Sequence, residues 1–356
     1  MEQALQQFKD RIIAAGAAKT ALRIRGSGSK DWYGQAPQGA LLDTRSHCGI
    51  VAYDPTELVI TARCGTPLAE IEAVLARQNQ MLAFEPPHCG PAATFGGMVA
   101  AGLSGPRRQA VGALRDFVLG VVLMDGKGAL LRFGGQVMKN VAGYDVSRLL
   151  AGSMGTLGLI TEVSLKVLPQ PFFETSLRFS MNEADALRCL NEWGGQPLPI
   201  SASAWRDGLL MVRLSGAQAA VKAAQKKMGG GEEPHAAVFW NGLREQSQGF
   251  FASAVGGMSS LWRLSVPSAT PPLALPGAQL IEWGGAQRWL LTDAEAGAIR
   301  VAAEQAGGHA TLFRGGDKQA GVFQPLAPAV ATIHRNLKNA FDPASIFNPG
   351  RMYAEL

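Results

Sequence analysis

Gly152-Ser153-Met154-Gly155-Thr156-Leu157-Gly158-Leu159-Ile160-Thr161-Glu162, reached from Lys139-Asn140-Val141-Ala142-Gly143-Tyr144-Asp145, sets three glycines among small polar residues. It then runs straight into a β-rich segment, Leu159, Ile160, Thr161, Val163, Leu165 and Val167. Glycine takes φ > 0 and lets backbone come close to a ligand. A row of backbone N–H groups leading into a strand can hold the polar edge of a planar heterocycle.

Outward from this stretch the chain divides. Downstream, the strand expected from Leu159 to Leu168 is closed by Pro169-Gln170-Pro171, which reads as a domain boundary. Upstream, Gln3–Ala18 has the spacing of an amphipathic helix (Leu5, Phe8, Ile12, Ile13). Short strands are expected at Ala21–Ile24, Leu41–Asp43, Gly49–Tyr53 and Leu58–Ala62, with a helix over Leu68–Arg77 opened by Pro67. Val118–Met124 and Ala129–Phe133 read as strands joined by Asp125-Gly126-Lys127-Gly128, and Tyr144–Leu150 as a short helix. Beyond Phe172 the texture changes. Ser203–Ser215 reads as a strand and Ala217–Met228 as a helix. Leu261–Val266 is a further strand. Gln279–Trp283 and Gln287–Leu291 form a hairpin around Gly284-Gly285. Asp293 caps a helix through Ala306, and His309–Phe313 is a final strand. That order suggests a small α+β cap of ferredoxin-like character. From Pro328 a tail helix is expected to present Ile333, Leu337 and Ala340 on one face.

Two more glycine segments precede the first. Arg25-Gly26-Ser27-Gly28-Ser29 follows a strand and can point successive N–H groups into one concavity, as an anionic diphosphate requires; it also has the make-up of a plain turn. It has neither the glycine spacing nor the following helix of a dinucleotide fingerprint. Thr94-Phe95-Gly96-Gly97-Met98-Val99-Ala100 and then Gly102-Leu103-Ser104-Gly105 imply close backbone approach, either to a ligand or between a strand and a helix.

In this order the three segments resemble the FAD-binding domain of the vanillyl-alcohol oxidase / D-lactate dehydrogenase superfamily. The resemblance covers residues 20–170, and again the tail Phe341-Asp342-Pro343 with Asn348-Pro349-Gly350. Ser104-Gly105-Pro106-Arg107-Arg108, Arg115-Asp116 and Ser153-Met154-Gly155 are most similar to the E-subunit family of bacterial glycolate oxidases (glycolate dehydrogenases). The resemblance implies an α+β fold: a two-lobed FAD-binding domain of the vanillyl-alcohol oxidase type plus a small α+β, ferredoxin-like cap. The expected domains are 1–170 (lobes about 1–84 and 85–170), a cap over 171–327, and a segment 328–356 returning to the FAD-binding domain. It implies non-covalent FAD held by Arg25, Gly26, Ser27, Gly28, Ser29, Pro86, Thr94, Gly96, Gly97, Gly102, Ser104, Gly105, Gly158, Leu159 and Ile160. Of these, Gly102, Ser104 and Gly105 match residues lining diphosphate and ring, and Gly158–Ile160 match the backbone that reads the pyrimidine edge.

The implied function is that of an FAD-binding subunit of a multi-subunit enzyme oxidising a small 2-hydroxyacid, glycolate to glyoxylate. The main catalysis is then expected in a homologous flavoprotein subunit, with an iron–sulfur subunit passing electrons on. This chain has no iron–sulfur cysteine run of its own. The superfamily's catalytic members carry Glu where this chain has Met154, and several cap histidines where this cap has His235 and His309. His309 as base and Arg314 as carboxylate clamp are the catalytic candidates; a surface or core histidine is the plainer reading. Two other functions stay open: a self-sufficient FAD-dependent 2-hydroxyacid dehydrogenase of the D-lactate type, and a non-catalytic flavin-domain scaffold.

Composition bounds these readings. The chain has 356 residues, 47% hydrophobic and 17% charged, with a formal net charge of +5. Basic residues are scattered, so nucleic acid is not an expected partner. Four cysteines do not make a disulfide framework. The first nineteen residues do not read as a signal peptide, and no stretch has the length of a membrane span. The expected location is cytoplasmic, at the inner face of the membrane if the complex attaches there peripherally. His47-Cys48 and His88-Cys89 lack the spacing of a zinc site, so no metal is expected. Trp205, Trp240, Trp262, Trp283 and Trp289 fall in the cap and suit core packing or a partner surface.

Overall fold

The computed structural model describes residues 2–135, 145–255 and 259–356. Lys139–Tyr144, quoted above, lie outside the described residues, as does the expected start of the short helix at Tyr144; that helix is described over Val146–Leu149. Two compact units emerge. One comprises the chain up to Leu103, Ala113–Pro169 and Pro325–Leu356; the other comprises Ser104–Gly112 and Gln170–Gln324.

In the first unit the strands are β1 (Leu22–Arg25), β2 (Ala40–Asp43), β3 (Ile50–Asp54), β4 (Val59–Arg63), β5 (Gln80–Met81), β6 (Val118–Met124), β7 (Leu130–Gly134), β8 (Leu159–Lys166) and β9 (Leu168–Pro169). β3-β4-β8-β6-β7 form one antiparallel sheet, β1 and β2 a parallel pair, and β5 and β9 a small antiparallel pair. The central strands β4, β6 and β8 are buried along nearly their whole length. The N-terminal helix, Glu2–Ala18, lays Phe8, Ile12 and Ala15 on Leu22, Leu42, Met124 and Leu159. Ile346 and Phe347 of the tail complete that core. The tail runs beside β1: Leu22 N–H donates to Ile346 O (2.7 Å) and Asn348 N–H to Leu22 O (2.9 Å). The β6–β7 turn is closed by the Asp125 carboxylate, which accepts from Lys127 and Ala129 N–H.

The second unit carries β10 (Phe173–Ser180), β11 (Ile200–Arg206), β12 (Leu209–Gly216), β13 (Gly231–Glu232), β14 (Ser260–Ser265), β15 (Ala278–Glu282), β16 (Gln287–Thr292) and β17 (His309–Arg314). They form one sheet in the order β13-β10-β12-β11-β15-β16-β14-β17. β10, helix 183–194, β11, β12, helix 218–228 and β13 make a ferredoxin-like βαββαβ unit. β14 to β17 repeat its strand order, with a proline-rich stretch in place of the first crossover helix. The β11–β15 pairing joins the halves.

The expected single strand Ser203–Ser215 is instead a hairpin. Asp207 (φ 50°) and Gly208 (φ 81°) both take positive φ, the signature of a two-residue Asp-Gly turn between twisted strands. The helix expected to be capped by Asp293 begins at Ala296, with Glu295 in the cap position. Trp240, Trp262, Trp283 and Trp289 are buried in this unit's own packing.

Segment 104–112 is bound within the second unit by polar contacts. Trp283 Nε1–H donates to Gly105 O (3.1 Å), and the Arg108 guanidinium lies 4.4 Å from the Trp283 ring centre. Buried Arg107 donates to Glu174 Oε2 (2.7 Å) and Ser215 Oγ (3.2 Å), while Arg213 Nε lies 3.8 Å from the same carboxylate. Burial raises the Glu174 pKa, but Arg213, Ser215 and Arg107 outweigh it and hold it below the ordinary value. A depressed folded-state pKa stabilises above the unfolded value and is lost as pH falls. Stability should therefore drop below about pH 4.3, more weakly than in a sealed site because Glu174 is partly exposed. Glu174→Gln should flatten that acid slope in urea unfolding; identical slopes would refute the assignment.

The tail helix, Pro328–Phe341, reverses the expected face. Ile333 is 57% exposed, whereas Lys338 is 4% exposed. Lys338 Nζ donates to Thr156 O (2.8 Å), Asp342 Oδ2 (2.7 Å) and Phe347 O (2.8 Å), so all three protons are used. Burial lowers its pKa, opposed by Asp342. Lys338→Met leaves the buried Asp342 without its cation and should cost about 3–5 kcal/mol in denaturant unfolding. Lys338→Met/Asp342→Leu should recover part of that loss, and a single variant as stable as the parent would contradict the pairing.

Candidate functional site: a cleft for a dinucleotide

Two adjoining cavities open in the first unit. The first, about 100 Å³, takes its wall from Arg23 to Asp31, from Thr94, Gly97 and Ala101, and from Arg351. The second, about 60 Å³, is lined by Thr44, Cys64, Gly96, Gly155 and Gly158–Ile160. Ile24, Gly26, Gly97, Ala100, Met154 and Asn348 border both, so the two form one elongated cleft.

The Arg25–Ser29 loop leaves β1 at its C-terminal end. Gly28 takes φ 79°, and Asp31 N–H closes the loop onto Gly28 O. A Cβ on Gly26 would run into the Thr94 hydroxyl. Thr94 itself caps helix Phe95–Ala101 by accepting from Gly97 N–H (3.3 Å). Gly96 is glycine because a Cβ there would stand 2.5 Å from Cys64 Cβ. These residues satisfy both readings offered by the sequence: they pack tightly and they line the cleft.

The first cavity is strongly cationic, with Arg23, Arg25, Lys30 and Arg351 against Asp31 alone. Arg25 Nε lies 2.9 Å from Asp31 Oδ2. Lys30 Nζ donates to His88 O (2.9 Å), fixing the loop. Arg351 reaches the carbonyls of Gln35 and Asp31; burial holds its pKa down, with Asp31 raising and Arg23 lowering it. Arg23 Nε is buried with no hydrogen-bond partner. A surplus of cations, an orphan donor and a loop of glycine and serine after Arg25 fit a diphosphate. The second cavity is largely apolar and bordered by the Gly158–Ile160 backbone, which fits a flat ring. Gly158 has φ 157°, and a Cβ would lie 2.8 Å from Met124 O.

Among the other expected residues, Gly102 is the left-handed C-cap of helix Phe95–Ala101 (φ 65°), and a Cβ would strike Gly152. Gly102, Ser104, Gly105 and Pro86 line neither cavity. Ser104 and Gly105 pack within the second unit. His309 and Arg314 open and close β17. Their Cα atoms are separated by about 17 Å of strand, so they do not converge on one small acid. His47 is buried against Phe8, where burial and Arg63 lower its pKa, and His88 Nε2 lies 3.1 Å from Glu72. Burial pushes the Cys64 thiol up to about 12, so it borders the cleft as an inert group. Sequence reasoning did not foresee the lining roles of Arg23, Lys30, Asp31, Met154, Asn348 and Arg351. The Asn-Pro-Gly-Arg wording at 348–351 was the available signal.

A family model described as an FAD binding domain matches residues 4–134. Glycolate oxidase subunit GlcE of Escherichia coli K12 is 52% identical over 351 residues, 99% of this chain and 98% of that protein. The chain belongs to the GlcE family of glycolate oxidase subunits. It is an FAD-binding member of an oxidoreductase family acting on CH–OH groups. Glycolate oxidase subunit GlcD of Bacillus subtilis is 33% identical over 165 residues, 46% of this chain and 35% of that one. Among solved structures, p-cresol methylhydroxylase with substrate bound overlays with a TM-score of 0.69 at 16% identity, covering 98% of this chain and 87% of that one. The fold is thus that of vanillyl-alcohol-oxidase-type flavoproteins. FAD, when bound, supplies a two-electron acceptor; Arg23, Arg25, Lys30 and Arg351 would face its diphosphate and the cavity beside Gly158–Ile160 would take its ring.

Gly158→Val should therefore lose most bound flavin, measured as the flavin-to-protein absorbance ratio. Gly297→Ala, where a Cβ meets nothing within 4 Å, should keep it. Equal occupancy in the two variants would remove Gly158 from the site.

Proposed function

We propose that this chain is the FAD-carrying subunit of a multi-subunit glycolate oxidase, with oxidation of glycolate to glyoxylate centred in a homologous partner flavoprotein. An iron–sulfur subunit takes the electrons onward. Oxidising a 2-hydroxyacid needs a base for the hydroxyl proton and a cation for the carboxylate, side by side, while hydride leaves the carbon. The observation that carries the reading is the separation of His309 and Arg314 along β17: the cap's candidate base and clamp do not meet. The cleft, by contrast, gathers four cations, Arg23, Arg25, Lys30 and Arg351, with Gly26, Gly28, Gly97 and Gly158 along its walls. Full-length identity to a protein named as a subunit supports work inside a complex. Similarity to a D-lactate dehydrogenase of Archaeoglobus fulgidus, 31% over half of this chain, keeps the self-sufficient 2-hydroxyacid dehydrogenase as the second reading. A scaffold without flavin is disfavoured by the intact cleft. No helix among the described residues is long and apolar enough to cross a membrane; we place the complex in the cytoplasm, attached peripherally where electrons leave it.

Glycolate-dependent dye reduction should require co-expression with the partner flavoprotein and the iron–sulfur subunit. In that complex, His309→Ala and Arg314→Ala should retain turnover within about twofold, a difference of roughly 0.4 kcal/mol. Loss of turnover in either variant at full flavin occupancy would move substrate chemistry into this chain.

A further inference from the structure

Asn348 stands where the two cavities meet and is 8% exposed. Its Oδ1 accepts from Ile24 N–H (2.8 Å), and its Nδ2 donates to Met154 O (2.6 Å). Only this amide orientation works, since the flipped one would oppose donor to donor and acceptor to acceptor. Ile24 leads into the Arg25–Ser29 loop, and Met154 into the turn that reaches Gly158. One side chain therefore spans the two walls of the cleft. Its backbone is fixed as well, by donation from Asn348 N–H to Leu22 O (2.9 Å). Met154 holds φ 54° while its own N–H bonds Ala100 O (2.9 Å).

The glycines around it are shaped to the tail rather than to a ligand. A Cβ on Gly155 would lie 2.7 Å from Asn348 Nδ2. A Cβ on Gly34 would lie 2.6 Å from Met154 Cε and 2.9 Å from Arg351 O. Gly155, read from sequence as part of a ligand-approach pattern, makes room for an asparagine nearly two hundred positions later.

We infer that Asn348 is a cofactor-positioning residue: by tying β1 to the Met154–Gly155 turn, it sets the width of the cleft that receives FAD, with Gly155 as its obligatory neighbour. The inference rests on the FAD-binding reading above. Aspartate would keep the acceptor for Ile24 but lose the donor, and would set a negative charge beside the Met154 carbonyl and a cavity built for an anion.

The test is titration of the flavin-stripped full chain with FAD, followed by quenching of flavin fluorescence, alongside the Tm of each apo variant. Asn348→Ala, Asn348→Asp and Gly155→Ala should each raise the FAD Kd at least tenfold. The Asn348→Ala/Gly155→Ala double variant should bind no worse than the weaker single, because both changes break one contact. Leu75→Ala, a core truncation that lines neither cavity, should lower Tm and leave Kd within twofold. If Asn348→Ala does not fold, Asn348→Asp carries the test. A Kd for Asn348→Asp within twofold of the parent overturns the inference. So does a Kd that merely tracks Tm across all variants, Leu75→Ala included. A parent chain that takes up no FAD at all brings down the flavoprotein reading itself, and this inference with it.

Discussion

A buried ammonium holds the first unit's tail in place, and the cofactor cleft depends on that tail. Lys338 uses its three protons on Thr156 O, Asp342 and Phe347 O. Asp342, fully buried, accepts in addition from Ile346 and Phe347 N–H. Burying a charge pair gains little net energy over apolar residues, but it leaves few alternatives, because any shift strands a charge in the interior. The network delivers Phe347 to the core and Asn348 to the cleft in one register. Arg351 then reaches the carbonyls of the loop that follows β1. Three stretches far apart in sequence, around residues 24–35, 152–158 and 346–351, thus define one another's positions.

The glycine segments announced the cofactor domain because their requirement is local: φ > 0 or close approach allows almost no other residue. The strands β4, β6 and β8 were legible for a similar reason, since short runs rich in Val, Leu and Ile mark buried strands. What escaped the sequence was non-local. Lys338 reads as a solvent-facing residue of an amphipathic helix until its acceptors on 156 and 347 are known. Ser104 and Gly105 carry the composition of a cofactor loop, yet Trp283 and Glu174 draw segment 104–112 into the second unit. The Asp207-Gly208 turn was the exception: its signal is local and strong, and the surrounding apolar run masked it.

The second unit explains why a flavin fold does not by itself imply substrate chemistry. Its sheet is two ferredoxin-like halves, and its cationic network is spent internally. Arg107 and Arg213 converge on Glu174 and the serines 201 and 215, and Arg288 on the carbonyls of Gly285 and Pro271. His309 lies on the terminal strand of the sheet, exposed at its start, away from Arg314 at the other end. Charged groups in this unit pair with one another and with its own carbonyls, whereas Arg23, Arg25, Lys30 and Arg351 gather on the wall of the first cavity against Asp31 alone.

If cofactor binding and substrate oxidation are divided between subunits, the visible spectrum of the lone flavin-loaded chain reports that division. On anaerobic addition of glycolate, and separately of D-lactate, the oxidised flavin spectrum should stay unchanged. The same spectrum should bleach with glycolate once the partner flavoprotein and iron–sulfur subunit are present. Bleaching of the lone chain by either acid would rule that division out and make this subunit an enzyme in its own right.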